Sequence, residues 1–168
     1  MSPWLTKDAI KFLEGYLSKE ITMLEFGSGN STVWFFDRVK NIISVEHDQK
    51  WHNWVKEQRP QADVRLLQPP QYYEICSQFP AEHFDLIVID GKNDTRVKCA
   101  ENSIRILKRG GILLLDNAER AFYRPVVNRS VDDSKILDLT DGWELHFTNE
   151  KPVSQHGNWY TVWWEKPS

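Results

Sequence analysis

Ile21-Thr22-Met23-Leu24-Glu25-Phe26-Gly27-Ser28-Gly29-Asn30-Ser31 decides how this chain is read. A short apolar run, which reads as a buried strand, enters a pair of glycines, and a helical pattern with Val33, Trp34, Phe36 and Val39 opens directly beyond it. Glycines let such a turn tighten and let a ligand approach the backbone. A dinucleotide fingerprint wants a third glycine at position 32, to pack helix on strand and seat a pyrophosphate, but this chain has Thr32. Glu25, two residues before the first glycine, repels an anion and welcomes a ligand ammonium. The loop therefore suits a cationic, amino-acid-bearing nucleoside, although a plain strand–helix turn accounts for the same glycines.

Upstream, Ala9, Ile10, Leu13, Tyr16 and Leu17 recur at helical spacing behind Thr6, a candidate N-cap. Downstream, strands are expected at residues 41–46, 64–67, 84–90 and 112–115. Leu86-Ile87-Val88-Ile89 is unbroken and charge-free, as in a sheet covered on both faces. Asp48 caps an expected helix with Trp51, Trp54 and Val55 as its apolar positions. Tyr72, Ile75, Cys76 and Phe79 mark one face of the next. Val97, Ala100, Ile104 and Leu107 mark a third, which Asp94 is expected to cap and Lys108-Arg109-Gly110 to end. Residues 118–140 are charged and mixed, and residues 143–147 and 159–164 alternate like antiparallel strands. Strands alternating with helices predict an α/β fold. Its form is an open, mostly parallel doubly wound sheet with an antiparallel C-terminal strand pair, in one domain over residues 1–168.

Of 168 residues, 40% are hydrophobic and 12% aromatic, enough for a real core. The 21 basic and 24 acidic residues leave a net charge of -3, which argues against electrostatic capture of nucleic acid or an anionic membrane. No apolar run approaches the roughly 18 residues of a membrane span. The start, Met1-Ser2-Pro3-Trp4, lacks the pattern of a secretory signal. Cys76 and Cys99 have no zinc or disulfide spacing. A cytoplasmic protein is expected.

Sheets of this kind bind ligands beyond the carboxyl ends of their strands. Four of those ends carry acids: Glu25, Glu46, Asp90 and Asp116. Glu46 can accept hydrogen bonds from both hydroxyls of a ribose, or it simply opens a turn. The segments Glu25-Phe26-Gly27-Ser28-Gly29-Asn30-Ser31, Ser44-Val45-Glu46-His47-Asp48, Phe84-Asp85-Leu86-Ile87-Val88-Ile89-Asp90-Gly91 and Leu107-Lys108-Arg109-Gly110-Gly111-Ile112-Leu113-Leu114-Leu115-Asp116-Asn117 occur in this order. Together they resemble the successive motifs of class I S-adenosylmethionine-dependent methyltransferases, over about residues 20 to 120. The resemblance implies S-adenosyl-L-methionine as methyl donor. Glu25, Gly27, Ser28 and Gly29 would face its methionine part, Glu46 its ribose and His47 its adenine, with Asn30, Ser31, Asp90 and Gly91 also in the donor site.

Metal-dependent O-methyltransferases carry an acid after the fourth strand and an Asp-Asn pair after the fifth. Asp90, Asp116 and Asn117 match those positions, which implies a divalent cation such as magnesium. The catalytic lysine of that family stands three residues after the acid; here Asn93 has that place and Lys92 precedes it. Asp90, Lys92 and Asp116 are the catalytic candidates. Alternatively, Asp90 serves the donor and Asp116-Asn117 caps a turn. Arg96 and Cys99 after Asp90-Gly91, and Glu119-Arg120 with Tyr123 after Asp116-Asn117-Ala118, resemble a group of small, poorly characterised bacterial methyltransferases. Arg96, Arg120 and Tyr123 either line an acceptor pocket or, for the two arginines, pair with Glu119 and Asp94 at its rim. His156 is either a loop base or a solvated loop histidine. Trp159, Trp163 and Trp164 stack an acceptor or pack the core.

The expected activity is methyl transfer to an oxygen of a small-molecule or glycan acceptor. The alternatives are a nucleoside-binding module without catalysis and an aminopropyltransferase. A nicotinamide oxidoreductase lacks its third glycine.

Overall fold

The computed structural model describes residues 2–122, 133–147 and 160–168. Helix α1 (Lys7–Tyr16) precedes β1 (Thr22–Phe26), α2 (Asn30–Phe36), β2 (Asn41–Glu46), α3 (Gln49–Gln58), β3 (Asp63–Leu66), α4 (Gln71–Glu74) and β4 (Phe84–Ile89). Then come α5 (Arg96–Ser103), β5 (Leu107–Leu115), α6 (Glu119–Phe122), α7 (Lys135–Leu139), β6 (Glu144–Phe147) and β7 (Val162–Glu165). The strands form one sheet in the order β3-β2-β1-β4-β5-β7-β6. The first five are parallel; β7 runs antiparallel to β5, and β6 antiparallel to β7. The expected α/β sheet with its antiparallel C-terminal pair is the fold observed.

The charge-free run in β4 is buried because both faces of the sheet are covered. Alternation sends Leu86 and Val88 to one face, against Leu13 of α1 and Trp34 and Phe35 of α2. Ile87 and Ile89 point to the other, against Tyr72, Cys99, Ala100 and Ile136. Trp163 and Trp164 follow the same rule, one on each face, and are core residues. Strand order reverses between β1 and β4, so their carboxyl ends diverge into the crevice where such sheets bind ligands. In register, Phe26 lies beside both Val45 and Ile89.

Several local expectations are corrected. Thr6 makes no side-chain cap; its backbone N–H instead donates to Thr161 Oγ1 at 3.1 Å. Asp94 does not cap α5: it lies in a 3-10 turn, Asn93–Thr95, and pairs with Lys92. Helix α5 ends at Ser103, and Lys108-Arg109-Gly110 belongs to β5. The C-terminal tail draws these residues into the sheet. Gly110 N–H donates to Lys166 O at 2.8 Å, and Lys166 N–H donates to Gly111 O at 2.9 Å. Asp48 does cap α3, accepting from the N–H groups of Lys50 and Trp51. Of the apolar positions expected on that helix only Val55 is buried.

Candidate active site

The end of β1 is built around a buried carboxylate. Glu25 is fully enclosed and accepts from Ser31 Oγ at 2.5 Å, Thr32 Oγ1 at 2.6 Å and Ser44 Oγ at 2.6 Å. Burial pushes its pKa up to about 7 against the pull of these three hydroxyls, and the charge of Glu46 adds to the rise. Thr32 also accepts from Gly29 N–H at 2.9 Å. Its hydroxyl thus joins the loop to Glu25, a task that a third glycine has no atoms to perform. The expected contact of Glu25 with a ligand is corrected accordingly: the side chain stands behind the loop and fixes its shape.

Gly27 needs to be glycine. Its φ is +95°, and a Cβ there would lie 2.8 Å from Gly91 Cα and 2.9 Å from the Asp90 carbonyl. The turns after β1 and β4 therefore nest directly together, tied by the Asp90 N–H donating to Phe26 O at 2.9 Å. Gly91 is also tightly placed, since a Cβ there would run into the Tyr72 hydroxyl and come within 3.1 Å of the Gly27 nitrogen.

Glu46, at the end of β2, is held by donors from both neighbouring turns. Oε2 accepts from Ser28 N–H at 2.6 Å and Ser28 Oγ at 3.1 Å, and Oε1 accepts from the N–H groups of His47 at 2.7 Å and Asp48 at 2.8 Å. The His47 ring also lies 3.0 Å from Oε1. Of the donors on Oε2, only the Ser28 hydroxyl can rotate away, which frees lone pairs for a diol.

A cavity of about 710 Å³ opens over these turns. The loop residues Gly27, Ser28, Gly29, Asn30 and Ser31 line it, with Glu46 and His47, Asp90, Gly91 and Lys92. The structure thus gathers every expected donor-site residue except Glu25 around one space. Its chemistry fits S-adenosylmethionine: backbone without side chains for close approach, a carboxylate for a diol, and a second carboxylate, Asp90, facing a cationic ligand. Trp4 and Trp51 also line it, and neither was expected to. Trp51 was expected on a buried helix stripe. Its place five residues after Glu46, in the first turn of α3, is the one signal that could have assigned it to the site.

The end of β5 differs from expectation. Asp116 is buried, and its Oδ1 accepts from Thr161 Oγ1 at 2.6 Å. Burial, and after it the charge of Asp90, pushes its carboxyl well above the usual range. Asp116 does not line the cavity. Among the described residues no three His, Cys, Asp or Glu side chains gather as metal ligands would. Nothing here supports the magnesium ion expected of Asp90, Asp116 and Asn117: the Asp116 carboxyl is turned into the protein, toward Thr161. Asn117 holds a left-handed turn there, with φ +49°.

Arg96 is likewise drawn inward, which corrects its place in an acceptor pocket. Only 1% exposed, it donates through Nη2 to the Asp116 carbonyl, and its Nε lies 2.9 Å from Asp133 Oδ2. A buried guanidinium requires such partners. Lys92 pairs with Asp94 at 3.3 Å on the cavity rim. The side chain of Arg120, and Tyr123, His156 and Trp159 entirely, lie outside the described residues.

A family profile described as a methyltransferase domain matches residues 24–118, more than half of the chain. No curated protein matches it significantly. Among solved structures, a putative O-methyltransferase from Klebsiella pneumoniae superposes with a TM-score of 0.70 at 18% identity, covering 94% of this chain and 77% of that one. The N-methyltransferase NodS from Bradyrhizobium japonicum gives 0.67 at 15% identity, covering 96% and 93%. A TehB-like S-adenosylmethionine-dependent methyltransferase from Corynebacterium glutamicum gives 0.61 at 17% identity, covering 93% and 85%. At these identities the likeness speaks to the fold.

Proposed function

As a member of the methyltransferase-domain family, this chain is an S-adenosylmethionine-dependent methyltransferase, and we propose that it methylates an oxygen of a small-molecule or glycan acceptor in the cytoplasm. The observation that carries the oxygen reading is the position of Asp90. It is the one acid of the β4 and β5 ends that lines the cavity, beside the glycine loop. When bound, the cofactor supplies a methyl group activated by a cationic sulfur. Gly27 and Gly29 let the donor approach the backbone, Glu46 holds its ribose hydroxyls, and His47 flanks its adenine. Asp90 accepts the acceptor hydroxyl proton as attack proceeds. Lys92, held by Asp94, orients the acceptor at the rim, and alignment provides most of the rate. The net charge of -3 disfavours nucleic acid and anionic membrane as acceptors. No helix among the described residues is long and apolar enough to cross a membrane.

Calorimetric titration with S-adenosylhomocysteine, with NAD in parallel, tests the donor site. Binding of the first alone is expected. A screen of hydroxyl-bearing small molecules and glycans with labelled donor then tests the acceptor. Label recovered as a methyl ether supports the reading, and label found only on nitrogen or carbon overturns it.

A further inference from the structure

Trp4 and Trp51 are large aromatic residues left open to solvent, 55% and 38% exposed, and both line the donor cavity. Their rings stand almost perpendicular, at 87° with centroids 6.1 Å apart, so the two indoles make a corner. Trp51 closes this corner onto the glycine loop: a Cβ on Gly29 would sit 3.5 Å from its Cε3 and Cζ3 atoms. Trp4 is held there by its neighbours in sequence. Leu5 is buried in the core, and Thr6 is tied through its N–H to Thr161. Trp4 meets Trp51 edge-on and Trp51 meets Trp54 in the same way, yet Trp4 and Trp51 both keep ring surface exposed at the cavity.

Resting on the donor-site reading above, we infer that Trp4 and Trp51 form an aromatic corner that recognises the sulfonium charge of the donor and thereby distinguishes it from the uncharged product. The covalent order of the ligand places the charge. The sulfur joins the ribose to the amino-acid part, so with Glu46 holding the ribose and the glycine loop the amino-acid part, the sulfur lies between them. Trp51, five residues after Glu46 and against Gly29, lines the same cavity beside that stretch. A sulfonium has no N–H to donate, so ordinary hydrogen bonding cannot select it. A diffuse onium charge is instead selected by the negative faces of aromatic rings, as quaternary ammonium ions are. Methyl transfer removes the charge: the sulfonium gives up its methyl and leaves as a neutral thioether, while the acceptor's proton passes to a base. The aromatic corner then loses its attraction for the product, which favours release.

The test is calorimetric affinity of the whole chain for S-adenosylmethionine, S-adenosylhomocysteine and sinefungin, in which a carbon replaces the sulfur and an ammonium replaces its methyl, so that the positive charge lies one bond further out. Trp4→Leu and Trp51→Leu keep apolar bulk without a ring, and Trp4→Phe keeps a ring. Both positions are partly exposed, so these variants fold. Each leucine variant is expected to weaken the two cationic ligands by roughly 3- to 30-fold, with S-adenosylhomocysteine changed less than about twofold and Trp4→Phe close to the wild type. If charged and uncharged ligands weaken in parallel, or neither changes, the aromatic corner is wrong and the donor site stands. If the unaltered chain binds none of the three, the donor reading falls and this inference with it.

Discussion

The ends of β1 and β2 and the ends of β4 and β5 each carry two acids, yet they are held in opposite ways. Glu25 and Glu46 take their hydrogen bonds from nearby stretches: Ser28, Ser31 and Thr32 of one loop, Ser44, and the two residues following Glu46. Asp116 is held from afar, by Thr161 of the last strand's approach and by its carbonyl's bond to Arg96, which in turn reaches Asp133. Glu46 belongs to the ligand wall and Glu25 fixes the loop behind it. Asp90 also lines the cavity, whereas Asp116 belongs to a clamp made with distant segments of the chain.

The largest test of this contrast is Arg96→Ala. It removes the buried ion pair to Asp133 and the guanidinium donor to the Asp116 carbonyl, and is expected to cost about 3–5 kcal/mol of stability by urea denaturation. A loss below about 1 kcal/mol would make the remote clamp ornamental.

Glu25 gives the next effect, through pH. Its folded pKa of about 7 lies above the 4.5 of an ordinary glutamate side chain. The folded state therefore binds the proton more tightly, and Glu25's contribution is fully present below pH 4.5 and lost as pH rises through 7. The loss amounts to about 3 kcal/mol. Glu25→Gln should remove that slope, read as the difference between the two proteins' denaturation curves at pH 5 and 8. Identical slopes would mean the hydroxyl cage ionises Glu25 as fully as water does.

Glu46→Ala removes the diol acceptor. It should weaken S-adenosylhomocysteine by about 1–3 kcal/mol, or 5- to 150-fold, in calorimetry. An unchanged affinity would mean the ribose is held elsewhere. Ser28→Ala is the smallest and sharpest test. Its hydroxyl makes the longest of the hydrogen bonds described above for Glu46 and is the one expected to yield to the ribose, so affinity should stay within about 0.5 kcal/mol. A large loss would show that the hydroxyl holds the loop rather than giving way.

The same division separates what could be read from the chain and what could not. The run Leu86-Ile87-Val88-Ile89, the cap at Asp48 and the glycine turn at Gly27 are local consequences of side-chain period, a short polar acceptor and a positive φ. They were legible because each is settled within a few residues. Helix α5 was read too long because Lys108-Arg109-Gly110 makes a good helix end in isolation. Pairing with Lys166, more than fifty residues on, outweighs it.

Arg96 shows the limit most clearly. An arginine beside acids in the sequence looks like a rim residue. Whether it faces water or the interior depends on Asp133 and the end of β5 converging on it, and no local pattern encodes that. Trp51 errs the other way, a helix position that period marks as buried and that the packing of Trp4 and Gly29 leaves at the mouth of the cavity. Backbone conformation and burial period are short-range properties, written wherever a few neighbours suffice. The direction in which a charged or aromatic side chain finally points is a free-energy choice among distant partners, and it exists only once the chain has closed on itself.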